Sequence, residues 1–253
     1  MAGPSLGWIF SALIVWPPVG PYSHEMTLKC LFFIGSVFFG ATLFAAGGSS
    51  SSGIQLLPKG STSFFGFDGG TLTPDSSANG DLNYTSNVKL VAGADISLFG
   101  PLYFSASMFT GWSSGNINYK YTDANKATYT AQNVDITQTI SGLEIGLQIR
   151  LINAPSGHLF IEGGGFAENW SLTYDFTKAT NTSGQATPES PETVAALGTY
   201  GKVGIDLLLP NGYGLRFGGR ASKGTTAKLA ALNNGQQVKY VTGEGFVGLI
   251  KQY

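Results

Sequence analysis

The stretch GLEIGLQIRLINAPSGHLFIEGGG, residues 142–165, decides the fold. Apolar residues occupy every second position of its first half: Leu143, Ile145, Leu147, Ile149 and Leu151. Polar residues or glycines fill the gaps: Gly142, Glu144, Gly146, Gln148 and Arg150. A period of two is the period of a β-strand with one apolar face and one polar face. The question is which face meets water.

The same alternation recurs along the chain. It is clear in the segments 88–98, 102–112, 199–209, 213–222 and 238–253, and less clean in 59–68 and 157–177. In 157–177 we expect a slip of phase near Gly163–Gly165, at a bulge, because Leu159 and Ile161 share one face and Trp170 lies on the other. The count predicts about eight strands.

The connections between these segments alternate in length. FGPL (99–102), NAPSG (153–157) and PNG (210–212) are tight turns of Gly, Pro and Asn. Longer polar loops lie between them, at 69–83, 122–128, 181–193 and 233–237. Short turns at one end and long loops at the other are typical of a transmembrane β-barrel of the bacterial outer membrane.

The composition limits the function classes. Only 11% of the 253 residues are charged, against about 25% in a typical soluble domain. The formal net charge is −1 and there is no basic run, so the sequence predicts no nucleic-acid partner. The single cysteine, Cys30, lies in a predicted leader, so we expect no disulfide and no Cys-ligated metal.

The N-terminal region is interpreted as a leader. Residues 26–46 combine Lys29, an apolar core and a run of small residues, which is the layout of a signal peptide; a transmembrane anchor is the alternative. Residues 1–25 precede a second methionine and are an over-called start or a leader extension. Residues 47–58 are a flexible linker. The barrel domain is predicted over 59–253.

Three features favour lipid on the apolar face. The polar faces carry mostly Gly, Ser and Thr, which is thin cover for a soluble surface. The signal peptide permits export, and the last residue, Tyr253, is in phase with the apolar residues before it. We expect two aromatic girdles at the membrane interfaces. The turn-end girdle is Phe99, Tyr103, Tyr213 and Tyr253; the loop-end girdle is Trp112, Tyr119, Tyr121, Trp170, Tyr174 and Tyr240.

With these features, residues 59–253 resemble the small eight-stranded outer-membrane barrels, such as the OmpA transmembrane domain, OmpX and OmpW. The resemblance implies an all-β, eight-stranded, antiparallel up-and-down transmembrane barrel in the outer membrane. Lys251 departs from the pattern, because these families usually place an apolar residue there.

The phase of the strands predicts which charges face the interior. They are Lys89, Asp95, Glu144, Arg150, Glu162, Glu168, Lys202, Asp206, Arg216, Arg220 and Glu244. Side chains fill an eight-stranded barrel, and buried charges need partners, so we expect an ion-pair network that closes the lumen. A narrow channel for small solutes or ions is the alternative.

The sequence does not favour catalysis. His24 falls in the leader and His158 lies beside a turn, where we expect a solvated or interfacial residue without a catalytic role. No cofactor or metal site is expected, since the Asp-containing loops lack the carboxylate density of a calcium loop. The expected function is structural or surface-interacting through the long loops, with outer-membrane lipid and lipopolysaccharide as partners. A soluble lipocalin-like binder is a third alternative.

Overall fold

The computed structural model describes residues 57–75, 82–184, 188, 190–232 and 235–253. The predicted leader segments 1–25 and 26–46 lie outside these residues, as does the predicted linker apart from Leu57 and Pro58. No helix in the described ranges is long and apolar enough to cross a membrane.

Nine strands make up the described fold. They are β1 (Thr62–Pro74), β2 (Leu82–Phe99), β3 (Leu102–Thr122), β4 (Thr128–Ala154), β5 (Gly157–Asp175), β6 (Thr180–Gly184), β7 (Glu192–Leu208), β8 (Tyr213–Leu229) and β9 (Gln236–Gln252). Eight of them are long, with 13 to 27 residues each. The short β6 pairs only with the loop end of β4.

The eight long strands close into a barrel. All pairings are antiparallel, and the order β3-β2-β1-β9-β8-β7-β5-β4 returns on itself because β3 also pairs with β4. The first and last long strands, β1 and β9, pair from Thr62↔Gln252 to Pro74↔Tyr240. Closure leaves no open sheet edge among the long strands. The predicted eight-stranded up-and-down barrel is confirmed.

The two ends of the barrel differ as the loop lengths predict. At one end, the turn end, tight connections join β2 to β3, β4 to β5 and β7 to β8. Gly100 and Gly212 take φ values of +55° and +79° there, a backbone region that favours glycine. The amide of Gly60 donates to the carbonyl of Tyr253 at 2.6 Å, so the two ends of the barrel domain meet at this end. The longer connections lie at the other end, the loop end.

The apolar face of the opening stretch points outwards. Leu147 is 52% exposed, whereas its strand neighbours Gln148 and Glu144 are buried inside. Large exposed apolar side chains on the other strands continue this surface, which we call the apolar belt. It includes Phe67, Leu98, Trp112, Leu143, Ile145, Leu151, Ile161, Val203, Leu207, Leu215, Phe217, Val247 and Leu249. An apolar outer band with a polar interior is the arrangement of a transmembrane barrel.

The faces reverse their polarity above the belt. On β4 the outward residues change from Leu143 to Ser141, Thr139 and Thr137, while the inward ones become Ile140, Gln138 and Ile136, of which only Gln138 is polar. This loop-side half therefore has a polar exterior and an apolar interior, as in a water-soluble barrel. Several strands continue well beyond the length of about 9–11 residues that spans a bilayer.

The expected phase slip in β5 is wrong. Its pairing with β7 runs without interruption from Gly157↔Leu207 to Leu172↔Glu192, and its even-numbered residues point inwards throughout. Leu159 and Trp170 lie on opposite faces because one is at an odd and the other at an even position of the same uninterrupted strand; the apolar residues therefore change from the outward face to the inward face along β5. The register shift between β4 and β5 lies instead at Arg150 and Ile152.

The expected aromatic girdles are wrong for five of their ten members. Phe99, Trp112 and Tyr213 are exposed on the outside, consistent with an interfacial position. Five others are buried in the interior: Tyr103, Tyr119, Trp170, Tyr174 and Tyr240. Each of the five belongs to the inward phase of its strand, so its proximity to a strand end did not place it at the interface.

Candidate functional site

All eleven charges predicted for the interior lie inside the barrel. They occupy inward positions of β2, β4, β5, β7, β8 and β9, and the structure divides them into two ion-pair clusters and two separate residues. Both clusters lie within the half surrounded by the apolar belt, which we call the belt-side half.

The first cluster lies near the turn end and centres on Arg216. Its guanidinium spans the lumen, donating from Nη2 to Asp95 Oδ2 at 2.6 Å and from Nε to Asp206 Oδ1 at 2.7 Å. The rings of Phe64 and Phe160 lie 4.7 Å from the guanidinium carbon. Two carboxylates and two aromatic faces therefore enclose one cation, an arrangement suited to the planar guanidinium.

The second cluster lies in the middle of the belt-side half and centres on Arg220. Its Nη2 donates to Glu144 Oε1 at 2.6 Å, and its Nη1 to Glu244 Oε2 at 2.5 Å. Lys202 Nζ lies 2.7 Å from Glu144 Oε2 and 3.4 Å from Glu162 Oε1. On the other side of the lumen, Lys89 Nζ lies 2.9 Å from Glu244 Oε1.

Neutral side chains complete the second cluster. Asn87 Nδ2 donates to Glu244 at 2.5 Å, and the hydroxyl of Tyr200 donates to Glu162 at 2.8 Å. A carboxylate has several lone pairs to satisfy, so these added donors reduce the cost of burying it. The cluster consequently links six strands across the lumen: β2, β4, β5, β7, β8 and β9.

Two of the predicted charges have no ion-pair partner among the described residues. Arg150 donates from Nη2 to Thr62 Oγ1 at 2.6 Å and lies over the ring of Tyr103, with its guanidinium carbon 3.8 Å from the centroid. Glu168, above the second cluster, accepts from Trp170 Nε1 at 2.7 Å and from the hydroxyl of Tyr240. Glu168 thus marks the transition from charged to aromatic interior.

The sequence interpretation missed three buried ionisable residues. Asp68 of β1 lies inside, next to the second cluster. The sequence could have indicated this, because Asp68 alternates with Phe65 and Phe67, which are on the outward face. His158, expected to be solvated or interfacial, is 3% exposed, with Nδ1 at 3.7 Å from Asp206 Oδ2. Glu192 was assigned to a loop, but it is the inward first residue of β7.

A small cavity lies beside Asp68, Glu162, Lys202 and Arg216, with a volume of about 30 Å³. A cavity needs about 10–15 Å³ to hold one water molecule, so this one has room for about two waters and none for an ion with its full hydration shell.

The loop-side interior is packed with apolar side chains. Trp170 and Leu82 are completely buried, and Ile117 and Tyr119 are 1% exposed. The Tyr119 ring packs edge-to-face on Tyr174 at 5.1 Å between centroids. The carboxylate of Glu192 accepts from the hydroxyl of Tyr174 at 2.8 Å and from backbone amides of the β8–β9 connection. We call this packed region the loop-side core.

The outer surface at the loop end is polar. A groove of about 270 Å³ lies where β6 joins β4, lined by Asn118, Lys120, Thr130, Gln132 and Asn181 among others. Nearby, Lys178 Nζ lies 3.0 Å from Asp135 Oδ2, and this hydrogen bond raises the pKa of Lys178. No group of three or more His, Cys, Asp or Glu residues that could hold a metal ion is present in the described ranges.

No family model matches the chain, and no curated protein matches it. Solved structures do resemble it in fold. Ail of Yersinia pestis, in complex with a heparin analogue, is 11% identical over 76% of this chain and 99% of its own, with a TM-score of 0.39. Neisserial surface protein A is 11% identical over 77% and 98%, with a TM-score of 0.45. The outer membrane protease OmpT of Escherichia coli is 9% identical over 81% and 100%, with a TM-score of 0.36. The barrel assignment rests on the strand pairing and the apolar belt described above.

Proposed function

We propose that the protein is an integral β-barrel of the bacterial outer membrane whose lumen is closed and whose loop-side half acts as a rigid surface platform. The apolar belt supports the membrane location, because large exposed apolar patches of this extent mark a non-aqueous environment. A soluble lipocalin-like binder would need its apolar face inside, and the belt-side half has the opposite arrangement.

The observation that supports the proposal is that two interior regions of different chemistry lie in series, which we interpret as two seals. The two ion-pair clusters lie across the belt-side lumen, and the buried apolar side chains of the loop-side core lie above them. A solute would have to break buried ion pairs, each costly to separate, and then pass between packed aromatic rings. This arrangement supports a structural role more than a narrow channel.

The loop-side half supports a surface-interaction role. Its apolar interior makes it a folded extension of the barrel, so residues on its polar outer face and in the loops are held in fixed positions outside the belt. The polar groove beside β6 is one such surface. We infer that a surface partner or lipopolysaccharide contacts the protein at this end.

The proposal includes no catalytic activity. In the described part of the chain the only histidine is His158, which lies at the turn end and is buried beside Asp206. The loop end, where a surface enzyme would meet its substrate, therefore has no described histidine to act as a general base.

Conductance in planar lipid bilayers tests the closed lumen. The full chain is extracted from outer membranes, its fold is checked by a faster SDS band without boiling, and it is then reconstituted beside a porin as the positive control. We expect no discrete current steps. Reproducible steps from protein that shows the band shift would overturn the closed lumen and favour the channel.

A further inference from the structure

A short segment after β8 folds into the mouth of the barrel at the loop end. It consists of residues 229–232, the last residue of β8 and the three that follow, and we call it the strap. Leu229, Ala231 and Leu232 are each at most 2% exposed. Connections between strands usually run over the surface, where water satisfies their backbone groups. The strap therefore needs partners inside the barrel for its amides and carbonyls.

A bulge near the end of β8 turns the strap inwards. The register between β8 and β9 shifts between Thr225 and Lys228. Before the shift the even-numbered residues of β8 point inwards, as Thr226 does, whereas after it the odd-numbered Leu229 points inwards. The hydroxyl of Thr226 accepts from the amide of Val238 on β9 at 3.0 Å, so this amide keeps a partner beside the bulge. A bulge redirects the residues that follow it, which here are those of the strap.

The strap reaches the opposite wall of the barrel. In the closed ring of eight long strands, β3 lies opposite β8, with β9, β1 and β2 between them on one side and β7, β5 and β4 on the other. The amide of Lys120 on β3 donates to the carbonyl of Ala231 at 2.8 Å. The strap therefore crosses the lumen instead of following its rim.

Glu192 fastens the middle of the strap. Its Oε1 accepts from the amide of Ala230 at 2.5 Å, and its Oε2 accepts from the amide of Ala231 at 3.3 Å. The hydroxyl of Tyr174 donates to the same Oε2 at 2.8 Å. Glu192 is 5% exposed and forms no ion pair with a described lysine or arginine. Neutral donors therefore stabilise this buried carboxylate, and two of the three belong to the strap.

Few contacts with the sheet hold the strap in place. Among the described residues, the strap joins the β-ladder only through the pair Leu229↔Gln236. A segment with few hydrogen bonds to the sheet can open without unfolding of the rest of the protein. When the strap opens, water at the mouth of the barrel replaces the two amides as hydrogen-bond donors to Glu192, which lowers the cost of opening.

We propose that the strap is a latched lid and that Glu192 is the positioning residue that holds it closed. Release of the latch opens the loop-side core at the mouth of the barrel. The two ion-pair clusters lie deeper, do not contact the strap and continue to close the belt-side lumen. The inference does not depend on the membrane placement proposed above, because all contacts of the strap lie within the barrel.

Hydrogen exchange of the folded full chain in detergent, resolved to single amides, tests the latch with the variant Glu192→Gln. Glutamine has one acceptor oxygen for the three donors, so at least one donor loses its partner. The decisive amide is that of Lys120, because it contacts the strap and does not contact Glu192. It should exchange about tenfold faster in the variant, as expected when a buried group loses its hydrogen-bond partner. Amides of residues 142–151 should exchange as in the wild type.

Glu168→Gln is the matched control. Glu168 is also a buried carboxylate in this part of the interior, but it does not contact the strap. Its two donors, Trp170 Nε1 and the hydroxyl of Tyr240, both bind Oε1, and glutamine retains one such oxygen. Exchange of the Lys120 amide should therefore be the same as in the wild type.

A second variant loosens the strap without changing the latch. Leu232→Ala shortens a strap side chain that is 2% exposed, so the strap loses apolar contacts in the loop-side core. The Lys120 amide should exchange severalfold faster, and the amides of residues 142–151 should be unaffected.

Two outcomes would overturn the lid. One is an equal exchange rate of the Lys120 amide in Glu192→Gln and the wild type, which would mean that Glu192 does not hold the strap. The other is equal acceleration at Lys120 and at residues 142–151, which would mean that the strap opens only when the whole barrel unfolds. Every sample is first checked for the faster unboiled SDS band. If Glu192→Gln lacks this band, Leu232→Ala decides by the same two criteria.

Discussion

The belt-side and loop-side halves of this barrel use the same strands in the same phase, yet their chemistry is reversed. Glu144 and Ile140 are both inward residues of β4, and Leu147 and Thr139 are both outward residues. In the belt-side half, the charged Glu144 points inwards and the apolar Leu147 outwards. In the loop-side half, the apolar Ile140 points inwards and the polar Thr139 outwards. The comparison teaches that the alternation specifies two faces, whereas the surrounding solvent selects which residues suit each face.

The two interiors are also stabilised differently. Ion pairs cost desolvation and depend on every partner being present, whereas an apolar core depends on volume and shape. Substitutions in the two halves should therefore lower the stability of the barrel for different reasons. The free energy of unfolding, measured by urea titration in lipid vesicles, can compare them.

The largest effect is expected from Arg220→Met. It leaves Glu144 and Glu244 buried without their guanidinium partner, and breaking a buried pair in this way costs about 3–5 kcal/mol. Arg150→Met is the matched control, since Arg150 pairs with no carboxylate in the described ranges, and it should cost less. Equal unfolding midpoints for Arg220→Met and the wild type would show that the ion pairs do not stabilise this half.

The next effect is expected from Leu172→Ala in the loop-side core. Leu172 is 1% exposed, and a buried Leu→Ala change costs about 2–5 kcal/mol through lost burial and the cavity left behind. If Leu172→Ala has the same free energy of unfolding as the wild type, the loop-side core is not tightly packed and cannot act as the second seal.

The smallest of the three effects locates the upper edge of the belt. Leu147→Lys puts a charge in the hydrocarbon and should cost about 2–4 kcal/mol. Thr139→Lys, on the same strand and the same face, should change stability by less than about 0.5 kcal/mol, because that position meets water. Equal costs at the two positions would mean that the belt continues above Leu143.

Much of this arrangement could be predicted from the residues. The alternation in 142–151 predicts which face points outwards, and Lys89, Arg216 and Glu244, which the same phase assigns to the interior, are buried. Tight turns against longer loops predicted which ends of the strands meet. These inferences succeed because they depend on local periodicity and turn chemistry, which the chain specifies without knowledge of distant contacts.

Other features could not be read in this way. Tyr119, Trp170 and Tyr240 were assigned to a membrane interface, but they are buried in the loop-side core. An aromatic residue near a strand end suits either place, and only the height at which lipid gives way to water distinguishes them. Because the apolar residues of β5 change from the outward to the inward face at this height, the continuous strand was interpreted as one with a phase slip.

The sequence by itself determined the strands, their two faces and the identity of most charges inside, because a β-strand exposes alternate residues to opposite sides wherever it lies. The tertiary structure decided how those charges pair across the lumen and where the interior changes from ion pairs to aromatic rings. These depend on the register of eight strands around a closed ring, which brings together residues that lie far apart in the chain.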